Sequence, residues 1–330
     1  MDASVIIPAY NSEKSIRACI EALKNQDFTG SFEIIVVDDG SGDNTAKIAE
    51  SSGAKVLRQE NAGPAKARNL GAKKAGGEML VFTDADCVPG KNWLREMLKP
   101  FSGEKIAGVQ GAYRTRQESL VARFAQAEIE ERYERMKRFS ERLDWIGSYS
   151  AAYRKKDFFE AGGFDESFPK ASGEDPELSF KMHKAGKKLV FNPKAVVFHA
   201  HPDSVWKYFR TKFYRAFYRA LLYDKHRDKI IKDSYTPNGV KVQILAGYTG
   251  IALLFVLPAL YFYGLYLAAS IILAGNAILV LLATIYTVLS AVRARQDPAV
   301  AFFSLFMIQV RTAAFMLGLP AGLIRYKVFK

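Results

Sequence analysis

Short runs of β-branched residues alternate with helical patterns over the first 110 positions of this chain. Residues 4–8 read as a buried strand, and Ser12 reads as the cap of a helix extending to about position 25. A second strand falls at 33–37, and Asp43-Asn44-Thr45 opens a second helix. A third strand at 55–58, a helix over 64–75 with Pro64 in its first turn, and a fourth strand at 79–83 follow. Strands separated by helices of this length predict right-handed βαβ units and an α/β fold with a Rossmann-like, mainly parallel sheet and flanking helices. Polar clusters fall just after the strands: Ala9-Tyr10-Asn11, Asp38-Asp39-Gly40 and Asp84-Ala85-Asp86. Open sheets of this kind bind ligands at the carboxyl ends of their strands, so these clusters should converge. Downstream, 117–142 is a charge-dense helix, 162–164 a turn, and 174–185 a helix entered from Ser172-Gly173.

Beyond position 202 the pattern changes. Trp206, Phe209, Phe213, Phe217 and Leu221 recur at helical spacing, interleaved with Lys207, Arg210, Lys212, Arg215 and Arg219. An aromatic face ringed by basic residues predicts a helix lying in the headgroup layer of a membrane, within a segment 203–241. Residues 242–290 contain no ionisable side chain except tyrosines, enough for two spans of roughly 20 residues each. The aromatic residues around Gly264 mark the turn of that hairpin. A third apolar segment, 299–324, carries Gln309 and Arg311 near its middle, and its pattern leaves open whether it spans. The predicted layout is therefore an α/β domain over 1–202 (halves about 1–112 and 113–202), the interfacial segment, and a helical membrane region over 242–330.

Composition sharpens this division. Residues 1–240 hold 33 of the 34 acidic and 40 of the 47 basic side chains, leaving Asp297 as the one acid beyond. The net charge of +13 calls for an anionic partner. Lacking any RNA- or DNA-binding signature, the chain is read as meeting anionic lipid and a nucleotide diphosphate rather than nucleic acid. Met1-Asp2-Ala3 leads straight into the first strand without a basic leader, so the catalytic domain is expected on the cytoplasmic side of the cell membrane, with a multi-pass C-terminal region. Lys241 before the hairpin and Arg293 and Arg295 after it put both hairpin ends on that side. Cys19 and Cys87 show no metal-ligand spacing and read as buried bystanders in a reducing compartment.

The acidic turns suggest a reaction class. Two carboxylates at Asp84 and Asp86, in a tight turn after a buried strand, suit one hard cation and a ribose, and magnesium or manganese favours such oxygen ligands beside substrate phosphates. Asp38 and Asp39 end another strand, where a carboxylate can accept from a base N–H or a sugar hydroxyl. Lys66 and Arg68, on the helix after the third strand, can meet a diphosphate.

The ordered set is more specific. Ser4-Val-Ile-Ile-Pro-Ala-Tyr-Asn11, Val36-Val-Asp-Asp-Gly-Ser41, Asn61-Ala-Gly-Pro-Ala-Lys-Ala-Arg-Asn69, Asp84-Ala-Asp86 and Gly173-Glu-Asp175 follow one another as in family 2 glycosyltransferases of GT-A fold, which residues 3–210 resemble. The resemblance implies a nucleotide-binding half fused to an acceptor half, inversion at the anomeric carbon, a UDP- or GDP-sugar donor and Mn2+ or Mg2+. It also implies roles. Pro8, Ala9 and Tyr10 would line the base pocket and Asp39 would read the base edge. Arg68 would approach the nucleotide, with Lys66 and Asn69 beside it. Asp84 would touch the ribose, Asp86 would ligate the metal, and His199 would complete the metal site, with His201 one strand period away. Asp175 would be the general base, with Asp38 and Glu174 bracing loops or assisting. His183, between Lys181 and Lys184, reads as a solvated helical residue. A Gly-Glu-Asp base favours a hydroxyl acceptor, as on a lipid-linked glycan, over a polyprenyl phosphate that is already anionic. Arg210-Thr-Lys-Phe-Tyr-Arg215 lacks the Gln-x-x-Arg-Trp motif of processive synthases, which favours single transfers. The competing readings are a polyprenyl-phosphate monosaccharide synthase and an inactive nucleotide-binding membrane scaffold.

Overall fold

The computed structural model describes residues 1–102, 106–138, 143–168, 173–229, 237–293 and 297–328. Its apolar runs become strands where the sequence alternation placed them: β1 (Ala3–Ala9) leads into α1 (Ile16–Lys24), and β2 (Phe32–Asp38) into α2 (Thr45–Ser51). Next come β3 (Lys55–Arg58), α3 (Pro64–Lys74), β4 (Met79–Thr83), β5 (Cys87–Pro89) and α4 (Trp93–Leu98). One boundary differs from the expectation: α1 starts at Ile16 because Ser12 forms a turn, its carbonyl accepting the N–H groups of Ser15 and Ile16 while its hydroxyl bonds to the Tyr10 carbonyl. Asp43 does open α2, its Oδ1 taking the Thr45 N–H at 3.0 Å.

The second half of the domain supplies β6 (Ile106–Arg114), α5 (Leu120–Arg138), β7 (Ser150–Arg154), α6 (Lys155–Glu160), α7 (Glu174–Lys184) and β8 (Lys188–His199). The expected entry to α7 at Ser172 and the end of the 117–142 helix beyond Arg138 lie outside the described residues. The eight strands form one sheet in the order β3-β2-β1-β4-β7-β6-β8-β5. β1 pairs in parallel with β2 and β4, β2 with β3, and β6 with β8, whereas β7 runs antiparallel to both β4 and β6, and β5 antiparallel to β8. The parallel strands carry helices on their faces, so both faces are apolar: Val5, Ile6, Ile7, Ile35, Val36, Leu80, Val81 and Phe82 are all fully buried. Phe82 anchors an edge-to-face cluster with Phe164 (5.3 Å) and Tyr153 (6.1 Å), contacts worth about 0.5–1.5 kcal/mol each beyond the area they bury.

The chain divides into two compact units. One comprises Met1–Gln117, Arg132–His201 and His226–Ser234; the other comprises Glu118–Glu131, Pro202–Lys225 and Tyr235–Lys330. The second is helical: the first turns of α5, then α8 (Val205–Lys225), α9 (Asn238–Phe262), α10 (Tyr266–Arg293) and α11 (Pro298–Leu323). Three of these helices, within Asn238–Phe262, Tyr266–Leu289 and Pro298–Tyr326, are long and apolar enough to cross a membrane. The core of this unit gathers Val121, Phe124 and Ala125 of α5, Tyr208 of α8, and Val300, Met307 and Ile308 of α11.

Candidate active site

The carboxyl ends of β1, β2 and β4 adjoin because these strands are parallel neighbours, so the three polar clusters meet at one edge of the sheet. The Asp39 N–H donates to the Ala9 carbonyl at 2.8 Å, and the loop after β1 is tied to that after β2 by Asn11 N–H to Ser41 Oγ and Gly42 N–H to Asn11 Oδ1 (both 2.9 Å). Asn11 holds a left-handed φ of 48°, leaving Tyr10 half exposed at the rim, with Pro8 and Ala9 beneath. Asp39 is buried, and its carboxylate accepts from Gln59 Nε2 (2.6 Å) and the N–H groups of Ala62 and Gly63 (2.9 Å each). These bonds hold the turn into α3, where Gly63 adopts a φ of +92° that a side chain would strain. Asp38 accepts the Ser41 N–H at 3.4 Å. Lys66 is exposed on α3.

Arg68 faces inward from the same helix and is 2% exposed. It donates to Asp84 Oδ1 at 2.8 Å and to Glu174 Oε1 at 2.9 Å, joining the turn after β4 to the start of α7. Its carboxylate neighbours hold its pKa above the ordinary guanidinium value despite burial. Removing either carboxylate would take from the buried guanidinium one of its two charge-assisted hydrogen bonds. Glu174 is also buried and takes the Gly173 N–H at 3.0 Å, and Asn69 braces the 162–166 turn through Phe164 and Glu166. Arg68 and Glu174 thus build the frame on which Asp84 and Asp175 stand.

Asp175, at the start of α7, is half-buried and accepts both the N–H and the hydroxyl of Ser148. Its Oδ1 has no hydrogen-bond partner among the described residues. Burial pushes its pKa up to about 7, aided by Glu174 and opposed by Arg68. A carboxylate poised there can take a proton near neutral pH.

Asp86 and His199 come together although 113 positions separate them, because β5 pairs with β8 in a register that sets Cys87 opposite His199. His199 Nδ1 lies 3.4 Å from Asp86 Oδ1, and Cys87 Sγ lies 4.0 Å from the same nitrogen and 3.8 Å from the same oxygen. Their donor atoms form a group within 4.8 Å of one another, in which the Asp86 oxygen and the His199 nitrogen fit a divalent cation. Burial raises the Asp86 pKa, but hydrogen bonding and charge from His199 more than offset this and keep the carboxyl below its usual range. Cys87, read from sequence as a bystander, is buried beside these groups, and burial lifts its thiol well above its ordinary range. The signal that would have found it is the strand register, which spacing alone does not carry. His199 stacks on Tyr113 (4.7 Å), which stacks on Tyr149 (3.6 Å), fixing the imidazole plane. His201 is buried with its backbone paired to Gln117 in both directions, 5.3 Å ring to ring from His199. The structure therefore brings Asp84, Asp86, Arg68, Glu174 and His199 together, and sets Ser148, Tyr113 and Cys87, which the sequence reading did not place there, beside them.

Residues 4–162 match the family model described as Glycosyl transferase family 2. Glycosyltransferase AglE of Haloferax volcanii is 36% identical over 115 residues, covering 33% of this chain and 38% of that protein. Pre-mycofactocin glycosyltransferase of Mycobacterium tuberculosis is 27% identical over 238 residues, covering 69% of this chain and 49% of that protein. The chain thus spans less than half the length of these two relatives. Among solved structures, a mannosyltransferase from Pyrobaculum calidifontis in complex with GDP-Man and Mn2+ superposes with a TM-score of 0.59 over 98% of this chain and 86% of that one. At 19% identity that likeness establishes the fold, GT-A with C-terminal helices. The likeness of this chain to Glycosyl transferase family 2 is therefore carried by residues 4–162.

Proposed function

We propose that the chain is an inverting glycosyltransferase moving a monosaccharide from a UDP- or GDP-sugar to a hydroxyl of a membrane-associated, lipid-linked glycan, one transfer per encounter. The observation that carries this reading is Asp175: a carboxylate with one unpartnered oxygen and a pKa raised to about 7, as a base for a neutral hydroxyl requires. A phosphate acceptor would need no such group. In this reading Pro8, Ala9 and Tyr10 line the base pocket whose wall Asp39 holds in shape. Asp84, fixed by Arg68, orients the ribose. Asp86 and His199, with Cys87 alongside, would hold Mn2+ or Mg2+. Bound there, the metal would neutralise the diphosphate leaving group. Ser148 orients Asp175 so that its free oxygen takes the acceptor proton as the new glycosidic bond forms.

The apolar helices support a cell-membrane, multi-pass protein with its catalytic domain on the cytoplasmic side, the hairpin α9–α10 crossing and α8 lying in the headgroup layer. Trp206 (69% exposed), Lys207, Arg210 and Arg215 face outward on α8, as that role requires. Lys212, expected on the same basic face, is instead buried against Glu128 at 2.8 Å.

Asp86→Ala tests the donor site. The variant should lose divalent-dependent binding of UDP- or GDP-sugars, measured by calorimetry with and without EDTA, and should lose transfer with it. Undiminished metal-dependent binding would contradict the assignment.

A further inference from the structure

After α8 the chain returns, from His226 onward, to the unit that holds the sheet. Arg227–Lys229 form one 3₁₀ turn, and the Lys229 N–H donates to the His226 carbonyl at 3.0 Å. The turn lies against α7, whose first turn carries Glu174 and Asp175. Lys229 and His226 are both buried there, and polar groups so placed need partners. Lys229 Nζ donates to Asp144 Oδ2 at 2.7 Å, a buried ion pair, and stands 4.9 Å from the centre of the Phe180 ring. The His226 ring meets the same Phe180 edge-to-face at 5.4 Å. Its Nδ1 accepts at 3.4 Å from the Lys184 ammonium, a group that can only donate. The ring proton therefore sits on Nε2, which lies 3.7 Å from Glu177 Oε1. Lys184 also donates to Asp228 at 3.1 Å.

The partners of this turn are the two walls of the seat in which Asp175 stands. One wall is α7 itself, gripped at Glu177, Phe180 and Lys184. The other is the segment from Asp144 to Ser148, which leads into β7. Ser148 gives Asp175 both its N–H and its hydroxyl. Two residues earlier, the Ile146 N–H donates to Ser179 Oγ at 3.0 Å, and that hydroxyl donates to the Asp175 carbonyl at 2.8 Å. The walls are thus stitched together beside Asp175 by Ser148 and Ser179. Lys229 joins them a second time from the far side, bonded to the loop at Asp144 and packed on α7 at Phe180.

We propose that His226 and Lys229 are positioning residues for Asp175, clamping α7 to the 144–148 loop so that the carboxylate keeps its direction toward the acceptor. The proposal rests on the reading of Asp175 as the base. It gives the transfer step a requirement outside the first 202 residues, in a turn that follows α8 without an intervening residue. The clamp bears on α7 and the loop, whereas the donor is read to bind at the ends of β1, β2 and β4. Loosening the clamp should therefore slow transfer and leave donor binding intact. A catalytic group displaced by about 1 Å through a distant change loses roughly 10²-fold in rate.

The test is a mutant cycle on the full chain in detergent, with single-turnover transfer on membrane extract and donor affinity by calorimetry. Lys229→Met is combined with Asp144→Asn, which removes both buried charges together. This double variant should bind donor as the wild type does and transfer roughly 10²-fold more slowly. Added to Asp175→Asn, the same two changes should slow transfer no further, because the group they position has already lost its basicity. Normal transfer by the double variant, or an equal further loss on top of Asp175→Asn, would overturn this inference and leave Asp175 as the base. Should the double variant lose donor binding through misfolding, His226→Phe decides by the same two criteria. It keeps a ring on Phe180 and gives up the contacts to Glu177 and Lys184. Near-normal transfer by Asp175→Asn alone would overturn the base reading and this inference with it.

Discussion

Asp175 and Asp86 are two carboxylates whose environments shift them in opposite directions. Asp175 is lifted to about 7 by burial and by Glu174, whereas His199 keeps Asp86 below the ordinary carboxylate range. With Asp175 as the proposed base, transfer would need it ionised, so its rate should rise with pH through about 7 and level off above. Asp175→Asn should remove that rising limb, and a limb surviving in the asparagine variant would assign it to another group. The linkage runs the opposite way for stability. A folded pKa above the unfolded value means the fold is best stabilised where Asp175 is protonated and loses that contribution as pH rises through about 7. Thermal melts should therefore show Asp175→Asn gaining on the wild type as pH rises from the unfolded value of 3.8 to about 7, with the difference constant above. At this scale the sequence was a good guide to residue types, while the partners that hold those residues come from the fold. The motif residues Arg68 and Asp39 bond to Asp84, Glu174 and the 59–63 loop. Side-chain direction on a helix or turn depends on what packs against it, which spacing does not report.

Elements with local signals were legible, and those defined by distant partners were not. β1, β2 and β4 announce themselves by β-branched runs, because a strand buried on both faces is apolar throughout. β7, reading Ser150-Ala-Ala-Tyr-Arg154, has no such run; its identity comes from antiparallel pairing with β4 and β6. Lys212 fits the same description. Its neighbours along α8 suggested a headgroup contact, but Glu128, far upstream, takes it. Glu128 also holds Arg311 and accepts from the Tyr208 hydroxyl at 2.7 Å. Burial would raise its pKa, but Lys212 and Arg311 overcome this and hold it at about 2. Its contribution to stability is present above the unfolded value of 4.5 and is lost as pH falls through about 2. Glu128→Gln removes the carboxylate that Lys212 and Arg311 share and should cost about 3–5 kcal/mol, the usual effect of breaking a buried pair. Lys207→Gln, on the exposed face, should cost under about 1 kcal/mol. Melts of the detergent-solubilised variants compare the two, and equal destabilisation would contradict the ionic core described for this unit.

In the whole molecule, an α/β domain of GT-A fold is followed after β8 by helices long and apolar enough to cross a membrane. His199 ends β8, and α8 begins at Val205, so the chain passes directly from the candidate metal ligand to the basic aromatic helix. That continuity suits an acceptor that arrives on a lipid, and it makes the chemistry of the acceptor the central question. The most direct test is single-turnover transfer by Asp175→Asn on membrane extract, with donor affinity measured separately by calorimetry. If Asp175 deprotonates a hydroxyl, donor and metal binding should persist while the transfer rate falls by roughly 10²–10⁴-fold, the usual contribution of a positioned base. Near-normal transfer by the asparagine variant would contradict the account and point instead to a phosphate acceptor that has no proton to give up.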